Sequence, residues 1–474
     1  MKRRLFFYGS LGVLALLLAG WLARPGVAST PTIDFYPKVD YELSGSEPKE
    51  MVIADFNGDE HLDMAVTTAG VGGKITIMLG NGSGAFADEP FPIGFSPWGI
   101  DAADLNGDGI LDLVATESGH DNTGVGIFAG DGSGGFVLWQ MVNAGKFPIA
   151  VHVADYNEDM VLDLAVANNV LYGVSILLGN GDGSFAPAQH IPGQASLMST
   201  DMAVADVNHD NHLDLIVSHY NGVIVFAGAG DGSFAPVGSA GNGFLNETVA
   251  VGDLNHDTHT DIASVDLYGN KLLINLGNGD GTFQPYQAYA MGNNMRDVLI
   301  QDLNLDGHGD VAVANEGSNN TGVLLGLGDG ALLPAQYFAT GLQPGVVAAG
   351  DWDEDGFPDL ALPWRNLGET PWVSVLRQIP SDQQGPAMTI DAPAAGSIVS
   401  GMTPVEVTAT DPSGVRFVLF RVDATFIGFD LTAPYHVNWN TAAFANGPHR
   451  LTVLGRDNAG NWNYATEYVF VYNP

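Results

Sequence analysis

Beyond residue 25 the chain carries no sustained apolar period of 3.6 residues. Its apolar residues fall in short runs, such as VIAD, LDLAVAN, VSILLG and KLLINLG, closed by Gly, Asn or Asp. Runs of this length between turn residues predict β-strands, with helix as a minor component. They recur in a fixed order. A strand ending in Ala-Asp or a similar pair leads into an acidic segment and then a second strand. A variable turn precedes a third strand, which ends in NGDGSF or a variant at Asn81, Asp131, Asn180, Gly230, Asn278 and Gly328. A fourth, less apolar strand closes the unit. Four strands joined by tight turns predict an antiparallel meander.

The acidic segment counts the units. It reads DFNGDEHLD from Asp55, DLNGDGILD from Asp104, DYNEDMVLD from Asp155 and DVNHDNHLD from Asp206. It continues as DLNHDTHTD from Asp253, DLNLDGHGD from Asp302 and DWDEDGFPD from Asp351. Successive starts lie 49, 51, 51, 47, 49 and 49 residues apart, a period that predicts a repeat architecture. The expected fold is all-β: a seven-bladed β-propeller of four-stranded antiparallel blades. The seventh unit has no fourth strand after Trp372–Ile379, whereas Phe35–Gly45 (FYPKVDYELSG) aligns with fourth-strand segments such as FAPAQHIPGQ from Phe185. The amino-terminal strand is therefore expected to complete the last blade. Closing the ring removes the sheet edges that an open array would leave.

Each acidic segment places side-chain oxygens at positions 1, 3, 5 and 9, and position 7 can add its backbone carbonyl. The candidate metal ligands are Asp55, Asn57, Asp59, His61 and Asp63 in the first copy, and Asp104, Asn106, Asp108, Ile110 and Asp112 in the second. The third and fourth copies supply Asp155, Asn157, Asp159, Val161 and Asp163, then Asp206, Asn208, Asp210, His212 and Asp214. The fifth and sixth supply Asp253, Asn255, Asp257, His259 and Asp261, then Asp302, Asn304, Asp306, His308 and Asp310. The seventh supplies Asp351, Asp353, Asp355, Phe357 and Asp359.

Alternate positions of a tightly curled loop converge on one point, and about six or seven hard oxygen ligands suit Ca²⁺. Asx-turns alone would need no third and fourth carboxylate, and unpaired these would repel. Up to seven Ca²⁺ are expected, which would move the formal net charge from -38 to -24. Position 6 turns sharply and favours Gly. Gly109, Gly307 and Gly356 satisfy it, Asn211 is acceptable, and Glu60, Met160 and Thr258 are poorer. The tightest sites are expected in copies two, six and seven, and weaker ones in three and five.

Composition narrows the class. The 474 residues hold 62 Gly and 25 Pro, which suits many turns, and no Cys, which rules out disulfides. With 16 basic and 54 acidic residues the chain cannot neutralise a phosphate backbone, so no nucleic-acid partner is expected. Lys2, Arg3 and Arg4 precede an apolar run from Leu5 to Leu22, followed by Gly26 and Ala28. This is the pattern of a secretory signal, with cleavage after Ala28. The alternative is an uncleaved anchor, since about 18 apolar residues can just span a bilayer; only then is a membrane a partner. Either way the body is expected outside the cytoplasm, secreted or at the cell surface. The expected organisation is a signal peptide at 1–28, a propeller at 29–380, a linker at 381–386 and a second domain at 387–474.

The D-x-[ND]-x-D-x-x-x-D loops with downstream Gly-Asp-Gly-Ser-Phe resemble FG-GAP/VCBS repeats over about residues 33–380. These are the units of the integrin α-subunit propeller and of many bacterial surface proteins. The resemblance implies calcium on the outer loops and adhesion or ligand binding at the opposite face, with no single ligand specified. In 387–474, runs such as VEVTAT, VRFVLFRV, YHVNWN, HRLTVLGRD and TEYVFVY predict about seven strands of a β-sandwich. The DNAGN turn at Asp457–Asn461 resembles bacterial Ig-like modules, here read as a spacer or stability module.

Successive turns of a meander alternate between the two ends of a blade. The acidic loops and Gly-Asp-Gly turns are therefore expected on one face, and the second-to-third-strand turns and blade connections on the other. Candidates on that other face are Trp98, Tyr172, Tyr220, Tyr268, Arg296, Trp364 and Arg365, beside ESGHDNTG from Glu117 and NEGSNNTG, which contains Glu316, from Asn315. Aromatic and amide groups there suit sugar or protein recognition by stacking and hydrogen bonding. No Ser/His/Asp order, HExxH or phosphate loop appears, so no catalytic residue is assigned and no enzyme is expected. The expected function is an exported calcium-binding propeller, an adhesion, ligand-binding or protein-interaction module for an extracellular protein or glycan. A lectin-like propeller and a calcium-dependent polysaccharide lyase or hydrolase are the alternatives.

Overall fold

The computed structural model describes residues 33–70, 72–93, 95–118, 124–170, 173–192, 197–241, 246–365, 370–379, 385–411, 414–457 and 461–474. The signal segment expected at 1–28, most of the expected linker and Tyr172 lie outside the described residues. The chain divides into two compact units at Ile379. Among the described residues, helix is confined to short 3₁₀ turns at Glu316–Ser318 and Thr441–Ala443. None is long and apolar enough to cross a membrane.

Among the described residues the first unit contains seven four-stranded antiparallel sheets, the blades of a propeller. Blade three is representative, with strands Lys146–Ala154, Asp163–Val170, Val174–Leu177 and Gln189–His190 paired in chain order. Its second strand is buried on both faces. Leu164 and Val166 join a cluster with Leu105, Val114 and Ile127 of blade two, while Ala165 and Ala167 join Met202, Leu215 and Val217 of blade four. A strand packed on both sides needs no polar face, and so the second and third strands read as continuous apolar runs. Fourth strands lie outermost and alternate; most of Phe136–Asn143 is exposed.

The last blade closes as expected. Val39–Glu42 pairs antiparallel with Trp372–Leu376, placing Val39 opposite Val375 and Glu42 opposite Trp372. Ser374 Oγ donates to Asp40 Oδ1 at 2.6 Å, and Phe35 bridges Gln378. Ile33 and Phe35 pack beneath this pairing with Leu303 and Leu376.

Among the described residues the second unit holds eight strands, where the pattern predicts about seven, in sheets of three and five. The extra strand is the two-residue Ile398–Val399, which pairs parallel to Phe470–Val471 and is too short to show a pattern. Val405, Val407, Phe420, Trp439, Leu451 and Val469 from both sheets share one core, the arrangement of a β-sandwich.

Candidate functional site

Every acidic loop is pinned at two places. The position 2 side chain, Phe56, Leu105, Tyr156, Val207, Leu254, Leu303 or Trp352, is buried between blades. The position 9 aspartates are fully buried. In the first six loops each takes at least two backbone N–H groups, from opposite sides: Asp163 Oδ2 accepts from Tyr156 at 3.0 Å, and Oδ1 from Gly179 at 2.7 Å. Position 9 thus ties the loop to the end of the third strand. Burial pushes these carboxyls up, Asp261 to about 6 and Asp310 and Asp359 to about 7, although the backbone N–H groups oppose it. A cation beside them would reverse the shift.

Position 1 is half-buried in every copy and its carboxylate accepts N–H groups of its own loop, as Asp55 does from Gly58 and Glu60. In the seventh loop, carboxylate oxygens of Asp351, Asp353 and Asp355 lie within 4.8 Å of one another, and Asp353 Oδ1 is buried with no hydrogen-bond partner. Three converging carboxylates with an unpartnered buried oxygen fit a hard cation such as Ca²⁺. In the other six loops Asn at position 3 is drawn into the loop: Asn57 Nδ2 donates to Asp59 Oδ2 at 3.0 Å, while Asn57 Oδ1 accepts the Asp59 N–H at 2.9 Å.

Two positions of each loop are left-handed, not one. Position 6 has φ between 66° and 89° throughout, as its sequence preference suggested. Position 4 is also left-handed, at Gly58, Gly107, Glu158, His209, His256, Leu305 and Glu354, with φ between 55° and 75°. Only the second copy has glycine at both.

The loops of neighbouring blades touch. The second glycine of each Gly-Asp-Gly turn donates its N–H to the position 2 carbonyl of the preceding blade at 2.8–3.2 Å, from Gly84 to Trp352 and so on to Gly330 and Leu254. Side chains also cross the junctions, from position 4 of one loop to position 7 of the next. Glu354 meets His61 at 2.5 Å, and Glu158 meets His212. His209 meets His259 at 2.8 Å, and His256 meets His308 at 2.6 Å.

The opposite face opens into a funnel of about 190 Å³. Its lining comes from the starts of the innermost strands, which converge where the blades meet. Lys49 Nζ lies 4.6 Å from the centre of the Trp98 ring, whose edge contacts Phe147. Across the mouth Glu316, almost wholly buried, receives Arg296 Nε, Arg365 Nη2 and Asn294 Nδ2, while Arg296 Nη1 reaches Glu247 Oε1 at 2.6 Å. Burial works against the Glu316 charge, but the two guanidiniums prevail and hold its carboxyl below the usual range.

Deeper in, Thr248 Oγ1 sits 2.9 Å from Asp201 Oδ2 and 3.0 Å from Asp297 Oδ1. One hydroxyl proton cannot serve two acceptors, so the trio favours a proton on one carboxyl. The same aspartates cover free N–H groups of the next blade's inner strand, Val249 at 3.1 Å and Val347 at 2.9 Å. Burial, with Asp201 nearby, pushes Asp297 up to about 7. Its folded state therefore holds a proton more tightly than the unfolded chain does. The stabilising contribution is full below about pH 4 and is lost as pH rises through 7. A carboxyl-carbon NMR titration is expected to give Asp297 a midpoint near 7; a midpoint near 4 would contradict this.

The funnel gathers three of the expected ligand-face residues, Trp98, Arg296 and Arg365. Tyr220 and Tyr268 stand exposed on turns away from it. Trp364 is a correction: its ring stacks on Trp372 with centres 6.4 Å apart and its Nε1 is buried, so it packs within blade seven and does not line the funnel. Glu50, Asp201 and Asp297 were missed. Each stands five residues before the first Asp of its loop, an acid interrupting an apolar strand, and that interruption was the available signal.

Fold and loops together define a repeat propeller. The FG-GAP-like repeat family matches at 55–115, 104–166, 155–217, 210–264, 253–313 and 302–362, and the chain belongs to that family. A bacterial Ig domain matches residues 386–453. No curated protein matches the chain. Among solved structures, an Agrocybe aegerita lectin that recognises non-reducing terminal N-acetylglucosamine is similar at 20% identity, over 68% of this chain and 86% of the lectin, with a TM-score of 0.45. BBS1N, solved in complex with ARL6DN, is similar at 10% identity over 73% of this chain and 96% of its own, with a TM-score of 0.51. That second likeness is one of fold alone.

Proposed function

We propose that this chain is an exported, calcium-loaded propeller that binds an extracellular protein ligand at the mouth of the funnel. The observation that supports this most is the convergence there of an aromatic face, three cations and five carboxylates from separate blades. The three lining cations are already partnered, Arg296 and Arg365 by Glu247 and Glu316 and Lys49 by Glu47, which leaves little free positive charge for an anion. A ligand presenting basic side chains therefore fits better than an anionic glycan. Calcium would be held by positions 1, 3 and 5, the position 7 carbonyl and the position 9 carboxylate, stiffening the face that faces away from the ligand. The charged and apolar amino-terminal run supplies the export signal.

Extracellular proteins and a glycan array, probed in calcium with wild type and Trp98→Ala/Arg365→Ala, test the binding. Protein ligands with basic surfaces are expected, weakened about tenfold or more by the variant. Glycan hits alone would favour the lectin-like reading, and release of reducing ends or unsaturated sugars would favour an enzyme. The loops make a separate prediction. Met160 holds φ 66° at position 6, a conformation costing roughly 1 kcal/mol for a residue with a Cβ. Met160→Gly is expected to tighten the third calcium site about fivefold in a calorimetric titration; an unchanged isotherm would count against the strain argument.

A further inference from the structure

We propose that the histidine pairs His209–His259 and His256–His308 are two binding sites for a borderline divalent transition metal such as Zn²⁺. They are separate from the oxygen-lined loops beside them. The sites lie at consecutive junctions, between blades four and five and between blades five and six. Each joins a position 4 imidazole to the position 7 imidazole of the next loop.

The junctions differ in a patterned way. Copies one and two carry Gly58 and Gly107 at position 4, facing Ile110 and Val161 at position 7 of the following loop. Copy six sets Leu305 against Phe357. All four position 7 histidines follow a copy whose position 4 side chain is polar, and in each case the two side chains meet. Two of these partners are glutamates. A carboxylate and an imidazole are complementary as they stand, one accepting and one donating. The other two partners are histidines. Two imidazoles complement each other only while one facing nitrogen carries a proton, and without it they present two lone pairs to a cation.

The geometry is close to what a metal needs. His209 Nε2 faces His259 Nδ1 at 2.8 Å, with ring centres 4.9 Å apart and planes tilted by 52°. His256 Nε2 faces His308 Nδ1 at 2.6 Å, with centres 4.9 Å apart and a tilt of 57°. Zinc–nitrogen bonds of about 2.0–2.1 Å in tetrahedral array put two nitrogens about 3.3 Å apart. The facing atoms need to part by only about half an ångström or slightly more, and both pairs are exposed at the surface, where water can complete the shell. The repetition of one arrangement at adjacent junctions argues against a chance encounter of surface side chains.

Chemistry keeps these ions apart from calcium. Ca²⁺ takes oxygen ligands and leaves imidazole nitrogen alone, whereas imidazole suits zinc, copper and nickel. At position 7 the backbone carbonyl would serve the loop while the ring serves the junction. The two bound ions together would cross-link blades four, five and six through side chains only.

The test is calorimetric titration of the full chain with Zn²⁺ in excess calcium. Two sites per chain are expected. His209→Ala should remove one, and His209→Ala/His256→Ala should remove both, with residual binding at least tenfold weaker. Glu158→Ala should leave both intact. A circular dichroism melt in calcium establishes that each variant is folded. Independently of any variant, Cu²⁺ bound to wild type should show coupling to two imidazole nitrogens in its electron paramagnetic resonance spectrum. Equal zinc binding by wild type and the double variant, or copper without nitrogen coupling, would overturn the proposal and leave the pairs as inter-blade hydrogen bonds.

Discussion

Chelation with EGTA is expected to lower the melting temperature of the calcium-loaded protein by on the order of 10 °C or more. A site held at a hundredfold over its Kd contributes about 2.7 kcal/mol, because only the native state gathers the ligands. Several such sites act on one ring. Removing the ions also leaves the loop carboxylates of a chain with net charge -38 facing one another. Added Ca²⁺ should restore the melt, whereas equimolar Mg²⁺ should not, since it demands a tighter octahedron. Paired calorimetric scans decide it. A melt unmoved by EGTA would remove calcium from the account.

The second large effect separates ligation from scaffolding within one loop. Asp155 and Asp163 are both expected ligands, but the Met160 N–H held by Asp155 is exposed, while those of Tyr156 and Gly179 held by Asp163 are shielded. Asp155→Ala should cost little beyond its site, because water replaces the lost acceptor. Asp163→Ala strands two buried donors at about 1–3 kcal/mol each. It should therefore be less stable than Asp155→Ala by about 2–6 kcal/mol, in calcium and in EGTA alike. Urea unfolding of the two variants measures the difference. Equal losses that vanish together in EGTA would mean that position 9 only ligates metal.

What was legible in the sequence was local. Nine consecutive residues make each loop, so its acids, its period and the sharp turn at position 6 could be read directly. The missing strand after Ile379 pointed to Phe35–Gly45 because both share a pattern with other fourth strands. Position 4 was hidden because glycine marks it only at Gly58 and Gly107, while five side chains occupy the same left-handed backbone elsewhere. The funnel was hidden for another reason. Glu50, Asp201 and Asp297 belong to blades one, four and six, and only the closed ring brings them to one opening. Trp364 could not be told from a binding residue, since a tryptophan at a strand end reads the same whether it stacks on Trp372 or faces solvent.

The pairing of Val39–Glu42 with Trp372–Leu376 has a consequence in time. The contact between Asp40 and Ser374 joins residues 334 apart, so this strand of the ring waits longest for its partner. Until the seventh blade emerges, that strand has no partner and the growing stack keeps open edges. Contacts of such long separation close slowly. The ring's assembly is therefore paced by its far end, and a chain stalled before Trp372 holds six blades with no way to shut them.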